Sequence, residues 1–267
     1  WIRTGRAELC MHMPDIDREV LSRRPALIAG LRRLVPDGVV SDDDALVAYD
    51  CDALTAYRQK PLAVVLPRTA SDVSAVLLFC SQNKLKIVPR GAGTSLSGGA
   101  LPLGDGIVLG LSRLNRILEV DIENRCAIVQ PGVTNLAITR AAEADGFYYA
   151  PDPSSQIACT IGGNVAENSG GIHCLKYGLT TNNLLGVELA LIDGTRVRFG
   201  GKAMDAGGLD LLGLVTGSEG LLGVVTEVTV RLRPKPPAAK AMLIAFPSTE
   251  AAGQCVADVI AAGIIPA

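Results

Sequence analysis

The sequence predicts an α+β protein in which two α/β units follow one another in one chain of 267 residues. A strand–helix–strand pattern over residues 63–89 predicts a first unit with parallel strands. Short strand-like segments and hairpin signals over residues 107–233 predict a second unit richer in β-structure. Three glycine-rich stretches, at 90–99, 151–171 and 216–226, interrupt these patterns and are the candidate functional segments.

Composition and charge restrict the class of protein. Hydrophobic residues make up 48% of the chain and charged residues 19%, which indicates a globular fold rather than a disordered chain. The formal net charge of −2 provides no basic surface for nucleic acid. No apolar run reaches about 18 residues, so the sequence predicts no membrane span.

The seven cysteines indicate neither a disulfide framework nor a metal site. They are scattered singly, without the CxxC pairs that zinc and iron–sulfur sites use. We therefore expect reduced, mostly buried thiols in a cytosolic protein, and no bound metal. The cysteines are Cys10, Cys51, Cys80, Cys126, Cys159, Cys174 and Cys255.

The N-terminal segment, residues 1–41, is predicted to be helical. Apolar residues recur on one face over Leu21–Leu34, and Pro25 is placed as in the first turn of a helix. Residues 1–12 contain no signal-peptide core, and the chain does not begin with methionine. We interpret those twelve residues as a non-native addition or a mis-assigned start.

The first unit is expected at residues 42–105. Ala63–Leu66 is predicted to be a short buried strand, and Ser71 to cap a helix whose apolar residues recur over Val73–Cys80. Lys86–Pro89 is the next strand. Because a helix connects the two strands, they should be parallel.

The second unit is expected at residues 106–235. Its predicted elements are three short strands, a helix ended by Gly146, a hairpin around Asp193-Gly194 and a closing strand. In chain order we expect them at 107–111, 117–121, 127–129, 134–145, 184–199 and 224–233.

Three prolines, at 234, 236 and 237, mark the end of the second unit, so the domain that holds both units covers residues 42–237. Beyond them we expect a strand at 241–246 and a helix at 249–262. One strand and one helix cannot bury their apolar faces alone, so residues 238–267 are predicted to open a further domain.

The first glycine-rich stretch, Arg90–Gly99, follows a strand and contains four glycines and three hydroxyl side chains. Glycine lets the backbone approach a ligand closely, and successive N–H groups in such a turn form a nest for phosphate. The stretch is not a Walker loop, which needs a lysine after the glycines, and its spacing departs from the Rossmann fingerprint. An ordinary Gly/Ser loop is the alternative.

The second stretch, Pro151–Gly171, contains two Gly-Gly pairs that bracket about two helical turns. The first N–H groups and small side chains of such a helix suit a planar or anionic ligand. Close packing of a helix on a sheet is the alternative. His173, which follows, is more often a hydrogen-bonded, partly buried histidine than a catalytic base.

The three stretches together resemble a known family, although the third, Thr216–Thr226, carries little information alone. RGAGTSLSGG, then PDPSS, CTIGGNVAENSGG and KYG, then TGSEGLLGVVT resemble, in this order, the FAD-binding domain of the vanillyl-alcohol oxidase/p-cresol methylhydroxylase (PCMH) superfamily. Within it, the sequence is most similar to the group of glycolate oxidase FAD subunits and D-lactate dehydrogenases. The resemblance covers roughly residues 40–237.

The resemblance implies a PCMH-type FAD-binding domain whose subdomains, 42–105 and 106–235, hold an extended FAD, followed at 238–267 by the start of a truncated ferredoxin-like cap domain. The first stretch would wrap the pyrophosphate, and the other two would line the isoalloxazine ring and the ADP half. Because the first stretch has no histidine, FAD should be non-covalent. The implied cofactor-binding residues are Pro89, Arg90, Gly91, Ala92, Gly93, Thr94, Ser95, Gly98, Gly99, Pro151, Asp152, Pro153, Ser155, Thr160, Ile161, Gly162, Gly163, Asn164, Asn168, Gly170, Gly171, Tyr177, Glu219, Gly220, Gly223, Val224 and Val225.

The reaction that the resemblance implies is oxidation of a 2-hydroxy acid, of the glycolate or D-lactate type, to the 2-keto acid, with hydride transfer to flavin N5. This chemistry needs a base for the hydroxyl proton and a cation for the carboxylate. The family supplies both largely from its cap domain, so no catalytic residue is assigned in this chain. A FAD-binding accessory or electron-transfer subunit, or an inactive remnant, is the alternative.

The implied partners are a second flavin subunit and an iron–sulfur subunit, or a second copy of this chain that covers exposed apolar surface. The implied small-molecule substrate is the 2-hydroxy acid. We expect a cytoplasmic location, peripheral to the inner membrane where partner subunits hold the protein there.

Overall fold

The computed structural model describes residues 13–203 and 208–266. These residues form two large sheets with helices packed on them and a small two-stranded sheet, which confirms the α+β class and the two α/β units. Residues 1–12, including Cys10, lie outside the described residues. Their interpretation as a non-native start stays a prediction.

The first unit begins with helices and ends with a strand that completes its sheet. In chain order its helices and strands are α1 (Arg18–Ser22), α2 (Arg24–Leu34), β1 (Val39–Val40), α3 (Asp43–Leu46), β2 (Ala63–Val65), α4 (Ala70–Gln82), β3 (Lys86–Arg90) and β4 (Gly106–Gly110). The sheet has the order β1-β2-β4-β3. Strands β2, β4 and β3 are parallel, as predicted, and β1 pairs antiparallel with β2 at the edge.

The first sheet and its core extend past the predicted limits of the first unit, 42 and 105. Strand β4 lies between β2 and β3, so the chain leaves this sheet after Gly110. All five residues of β4 are buried, as expected for a central strand that needs a hydrogen-bonded neighbour on each side. Helix α2 also belongs to this unit, because Leu27, Ile28 and Leu31 pack into its core.

Helix α4 is capped by Thr69 rather than by Ser71, which lies inside the helix. The Thr69 hydroxyl accepts a hydrogen bond from the N–H of Asp72, and the Asp72 carboxylate accepts one from the N–H of Thr69. This capping box satisfies two backbone donors that a helix start otherwise leaves free. The predicted buried face of the helix, Val73–Cys80, is confirmed for Val73, Val76, Leu77 and Cys80.

The second unit is a five-stranded antiparallel sheet with short helices. In chain order its helices and strands are β5 (Ile117–Asp121), β6 (Cys126–Val129), α5 (Asn135–Ala142), β7 (Phe147–Tyr148), α6 (Ile161–Glu167), α7 (Cys174–Tyr177), β8 (Leu184–Ala190), β9 (Arg196–Gly200), α8 (Leu211–Val215), β10 (Val224–Arg231) and β11 (Arg233–Pro234). The sheet order is β5-β6-β10-β8-β9. The predicted hairpin β8–β9 is confirmed, and β5 and β6 form a second hairpin.

Two details of the second unit differ from the prediction. The helix that begins after Thr134 ends at Ala142, and a 3₁₀ turn, Glu143–Asp145, leads to Gly146, whose φ of 76° ends it. Strand β10 ends at Arg231. The next residues form β11, which pairs with β7 as a separate two-stranded sheet.

The two units share a core through helix α4. Ala190 of β8 and Val224 of β10 belong to the same buried cluster as the apolar face of α4. A second cluster fills the space between the five-stranded sheet and helices α5 and α6. Helix packing therefore fixes the first sheet beside the second, and the cleft described below lies at this junction.

The segment after the prolines packs little against the rest. The predicted strand at 241–246 was wrong, because these residues pair with no strand of the described chain, and Met242 and Leu243 are 85% and 102% exposed. Helix α9 (Thr249–Ala261) confirms the predicted helix, and it contains no buried residue. Whether residues 238–267 open a ferredoxin-like cap domain stays a prediction.

Three further findings, on membrane-spanning helices, metal sites and cysteines, apply to the described residues. None of their helices has the length and apolar character needed to cross a membrane. No group of three or more His, Cys, Asp or Glu residues in 13–203 and 208–266 is placed to hold a metal ion. The six cysteines of these ranges are unpaired, and Cys80, Cys126 and Cys159 are buried.

Candidate functional site

A cleft of about 990 Å³, including its open mouth, lies between the two units. Residues from all three glycine-rich stretches line it. Two-thirds of the predicted cofactor-binding residues therefore meet at one place: Pro89, Arg90, Gly91, Ala92, Gly93, Thr94, Ser95, Gly99, Ser155, Thr160, Gly162, Gly163, Asn164, Glu219, Gly220, Gly223, Val224 and Val225.

The remaining predicted residues flank the cleft without lining it. Ile161 is fully buried in the second core, and Gly171 packs against the backbone and carboxylate of Asp152. The predicted residues outside the lining are Gly98, Pro151, Asp152, Pro153, Ile161, Asn168, Gly170, Gly171 and Tyr177.

Several lining residues were missed by sequence reasoning. Pro131 begins a Pro-Gly turn, and Gly162 packs directly on it, so that turn was the one local signal available. The others are small or apolar residues whose position depends on tertiary packing, or they adjoin a predicted residue. The missed residues are Ala100, Leu111, Pro131, Cys159, Ala166, Glu167, Ser169, Leu189, Val215 and Ser218.

The loop after β3 presents a series of free backbone donors to the cleft. Within the described chain, the N–H groups of residues 91–96 donate no hydrogen bond to a protein acceptor. Gly93 and Gly98 have φ values of 70° and 83°, which side chains with a Cβ rarely adopt. A run of unpaired N–H groups in such a turn is a nest that suits phosphate oxygens.

Arg90 holds this loop in place. Its Nη1 donates a 2.6 Å hydrogen bond to the carbonyl of Cys51, and its guanidinium stacks 5.8 Å from the ring centroid of Tyr49. The carbonyl of Gly93 accepts a hydrogen bond from the N–H of Ala53. Three contacts therefore tie the loop to the segment before β2.

Helix α6 forms the opposite wall and approaches the loop closely. A Cβ on Gly91 would collide with the hydroxyl of Thr160, and a Cβ on Gly162 would lie 2.6 Å from Cβ of Pro131. At both positions only glycine permits so close a contact with the neighbouring residue. Gly162 therefore has a packing role, against the turn at Pro131 rather than against a sheet, and it also lines the cleft.

The third stretch closes the cleft with a strained turn. Glu219 has a φ of 53°, unusual for a residue with a side chain, and Gly220 has a φ of 78° and packs on Pro89. The N–H groups of Gly217 and Glu219 donate to carbonyls of α6, at Val165 and Ala166. The first and third stretches thus meet the helix from its two sides.

The charges in the cleft are mainly acidic. Glu167 and Glu219 both line it, and their carboxylates lie near Gly99 of the first loop. Arg90 is the one basic residue of the lining, and its guanidinium is bonded to Cys51. A phosphate group here would therefore be held by backbone N–H groups, whereas the two carboxylates suit the hydroxyl groups of a sugar.

Two buried polar side chains of the cleft have no partner. The hydroxyl of Thr160 and the side-chain amide nitrogen of Asn164 are shielded from solvent and make no hydrogen bond within the described chain. Buried polar groups are almost always paired, so these atoms indicate a polar ligand. Burial also raises the pKa of the Cys159 thiol beside them, so that this cysteine stays protonated at neutral pH.

Comparisons with known proteins agree with this geometry. Residues 61–200, more than half of the chain, match the family described as FAD binding domain. The chain belongs to this FAD-binding family. The unpaired N–H groups and the buried, unpaired side chains of Thr160 and Asn164 fit FAD, which is the cofactor of the family.

Curated relatives share about half of their own length with this chain. It is 52% identical over 255 residues to glycolate oxidase subunit GlcD of Escherichia coli (strain K12), covering 95% of this chain and 50% of the relative. For GlcD of Bacillus subtilis the identity is 47%, over 87% of this chain and 50% of the relative. For D-lactate dehydrogenase of Archaeoglobus fulgidus it is 42%, over 73% and 44%.

Solved structures support the fold alone. A structure of alkyldihydroxyacetonephosphate synthase superposes with a TM-score of 0.69 at 22% identity, over 85% of this chain and 42% of that chain. A second structure of that enzyme gives 0.72 at 20% identity, over 94% and 51%. The family match and the curated relatives confirm the suspected membership of the PCMH-type FAD-binding group.

Proposed function

We propose that this chain is the FAD-binding part of an enzyme that oxidises a small 2-hydroxy acid, of the glycolate or D-lactate type, to the 2-keto acid. The observation that carries the proposal is the cleft in which three separate glycine-rich stretches meet, the first with free N–H groups and the second with two buried, unpaired polar side chains. The relatives named as glycolate oxidase subunits and D-lactate dehydrogenases support the substrate class.

The chain's own residues would divide the work of holding FAD. The N–H groups of residues 91–96 would bind the pyrophosphate, and Thr160 and Asn164 would pair with polar edges of the cofactor. Glu167 and Glu219 would accept hydrogen bonds from hydroxyl groups. Bound FAD would supply the electron acceptor for the substrate's C–H bond, through hydride transfer to N5. Because the first loop has no histidine, we propose that binding is non-covalent.

A visible spectrum tests cofactor binding first. Purified protein mixed with FAD and passed through a desalting column should keep the two visible absorption bands of oxidised flavin. Acid precipitation should then release all of the flavin into the supernatant, as expected for non-covalent binding. Protein that keeps no flavin would contradict the proposal, and flavin that stays with the precipitate would contradict its non-covalent part.

Anaerobic reduction tests the chemistry. Glycolate or D-lactate should bleach the bound flavin, whereas a matched acid without the hydroxyl group, acetate or propionate, should leave it oxidised. A chain that binds FAD but is bleached by neither substrate, while dithionite reduces it, would instead be an accessory subunit or an inactive remnant.

We also propose that the protein works in the cytoplasm with further polypeptides, since two of the relatives are named as oxidase subunits. The exposed apolar segment 241–246 and helix α9 support an additional contact surface. Multi-angle light scattering tests this point. A monodisperse monomer that binds no other chain would contradict it.

A further inference from the structure

Two carboxylates lie beside the loop that presents free N–H groups to the cleft. A Cβ on Gly99 would lie 3.2 Å from Oε1 of Glu167 and 3.5 Å from Oε2 of Glu219. Both carboxylates therefore face one point of the first glycine-rich stretch, three residues after the last free N–H group. Both residues also line the cleft.

A chain of hydroxyl groups connects Glu167 to the loop. Oγ of Ser97 donates a 3.3 Å hydrogen bond to Oε2 of Glu167 and lies 2.7 Å from Oγ of Ser95. Because a hydroxyl group has one proton, Ser95 donates its own to Ser97. Two of the three hydroxyl groups of the loop thus direct their protons towards a carboxylate and have none left for a phosphate oxygen.

Backbone hydrogen bonds hold Glu219 beside Glu167. The N–H of Glu219 donates a 2.9 Å hydrogen bond to the carbonyl of Ala166, the residue before Glu167 in helix α6. Glu219 also has a φ of 53°, which glycine adopts more easily, and residues held in such conformations are concentrated at functional sites. The chain therefore keeps a carboxylate at a position whose backbone favours glycine.

The full charges around the loop are net negative. Glu167 and Glu219 contribute two carboxylates, whereas Arg90 is the one basic residue of the lining. The guanidinium of Arg90 already donates to the carbonyl of Cys51. The N–H groups of the loop attract a phosphate through partial charges, and the two carboxylates repel it through full ones. The balance therefore becomes less favourable as the negative charge on the phosphate increases.

Buried polar groups of the opposite wall indicate a ligand at the same loop. Thr160 is 6% exposed and Asn164 is 2% exposed, and within the described chain the Thr160 hydroxyl and the Asn164 amide nitrogen have no partner. The Thr160 hydroxyl is directed at Gly91, since a Cβ on Gly91 would collide with it. Gly91 is the first residue of the free N–H run, so one ligand at this loop would meet the N–H groups and the buried hydroxyl, close to the carboxylates.

We propose that Glu167 and Glu219 determine which phosphorylated compounds the cleft accepts. They admit the pyrophosphate diester of a dinucleotide such as FAD and reject phosphate monoesters, including FMN, and free phosphate. Each phosphorus of a pyrophosphate diester carries one negative charge, whereas a terminal phosphate carries about −1.5 to −2 at neutral pH. This inference rests on the proposed function, in which the free N–H groups bind the pyrophosphate.

FMN and riboflavin are the matched ligands for the test, because they differ only in the phosphate monoester. Their binding to FAD-free protein is measured by flavin fluorescence, up to millimolar concentrations at neutral pH. In wild type the phosphate should add no affinity, so FMN should bind no more tightly than riboflavin. Glu167→Gln and Glu219→Gln should each tighten FMN binding about tenfold or more and leave riboflavin binding within about threefold of wild type.

Three controls separate charge from shape and folding. Glu123→Gln makes the same change of charge on an exposed residue of the turn between β5 and β6, and should bind FMN as wild type does. Glu219→Asp keeps the charge on a shorter side chain and should reject FMN. FAD binding by each variant shows that it is folded. FAD affinity should change less than FMN affinity in the glutamine variants, because weaker hydrogen bonds to hydroxyl groups offset the reduced repulsion.

The outcomes separate this inference from the proposed function. If wild type binds FAD but the glutamine variants bind FMN no better than Glu123→Gln, the selectivity role fails and the proposed function stands. Equal gains for FMN and riboflavin, or wild type that prefers FMN to riboflavin, would also overturn the role. If wild type binds no FAD, the proposed function fails, whereas FMN binding gained by the glutamine variants would still support the carboxylates as the selective groups.

Discussion

The two neighbouring glycines of helix α6, Gly162 and Gly163, provide a matched pair for testing the walls of the cleft. Both are helical, both line the cleft, and alanine at either position would raise the helix propensity by up to about 1 kcal/mol. They differ in their surroundings. A Cβ on Gly162 would lie 2.6 Å from Cβ of Pro131, whereas a Cβ on Gly163 would lie 3.5 Å from the hydroxyl of Thr160.

The distances in the structure set the size of the expected difference in stability between the two alanine variants. Carbon atoms in contact prefer about 3.5–4.0 Å, so Gly162→Ala forces its wall to move by about 1 Å, and overpacking of this kind costs about 1–3 kcal/mol. Gly163→Ala needs no such movement. We therefore expect Gly162→Ala to be about 1–3 kcal/mol less stable than Gly163→Ala, with each kcal/mol lowering Tm by about 2–4 °C.

Urea unfolding followed by far-ultraviolet circular dichroism measures this difference. Both variants should be compared with wild type in the absence of FAD, so that cofactor binding does not contribute to stability. Equal midpoints for the two alanine variants, or a lower midpoint for Gly163→Ala, would refute the close contact between α6 and the Pro131 turn.

Two further predictions concern stability. Burial raises the pKa of Asp105, but the hydrogen bonds from Lys86 and from the N–H of Asp17 lower it more, so the net shift is downward. The folded pKa is below the unfolded one, so this stabilisation is present at neutral pH and is lost as the pH falls through the folded pKa. Asp105→Asn should cost about 1–3 kcal/mol at pH 7 and less at about pH 3 in urea unfolding. A constant difference between pH 7 and 3 would contradict this. Glu219→Gly should raise stability by about 1 kcal/mol by relieving its positive φ, whereas Glu219→Ala, which keeps the strain, should not. Equal thermal midpoints for those two variants would refute the strain.

Much of the fold followed from local sequence signals. The buried run AVV, the strand KIVP, the turn Asp193-Gly194 and the stop at Gly146 each act over a few residues, and each was recovered. The functional stretches were also recoverable, because glycine is required at 91 and 162 by a close contact and at 93 and 98 by a positive φ.

The predictions that were wrong concern features that depend on tertiary structure. The position of β4 between β2 and β3 depends on a long crossover that local patterns do not record. The apolar segment 241–246 has the composition of a strand, but strand formation needs a neighbour, and the described chain offers none. Pro131 and Glu167 line the cleft only because separate elements meet there.

The surroundings of Tyr177 also depend on contacts that local sequence patterns do not record. From sequence alone, a histidine such as His173 is more often a hydrogen-bonded structural residue than a catalytic base. Its contact with Asp152, twenty-one positions earlier, became visible only when the two loops were placed together. Arg233 lies over the ring of Tyr177, in the short strand β11. No local pattern indicated that β11 pairs with β7.

Hydrogen exchange tests the central claim most directly, which is that FAD lies in the cleft between the two units and is held by backbone donors. Exchange of the backbone amides is followed by mass spectrometry with and without FAD. Residues 91–96, whose N–H groups lack protein acceptors, should become strongly protected on adding FAD, together with α6 and the turn at 217–223. FAD that binds without slowing exchange at 91–96 would contradict the account.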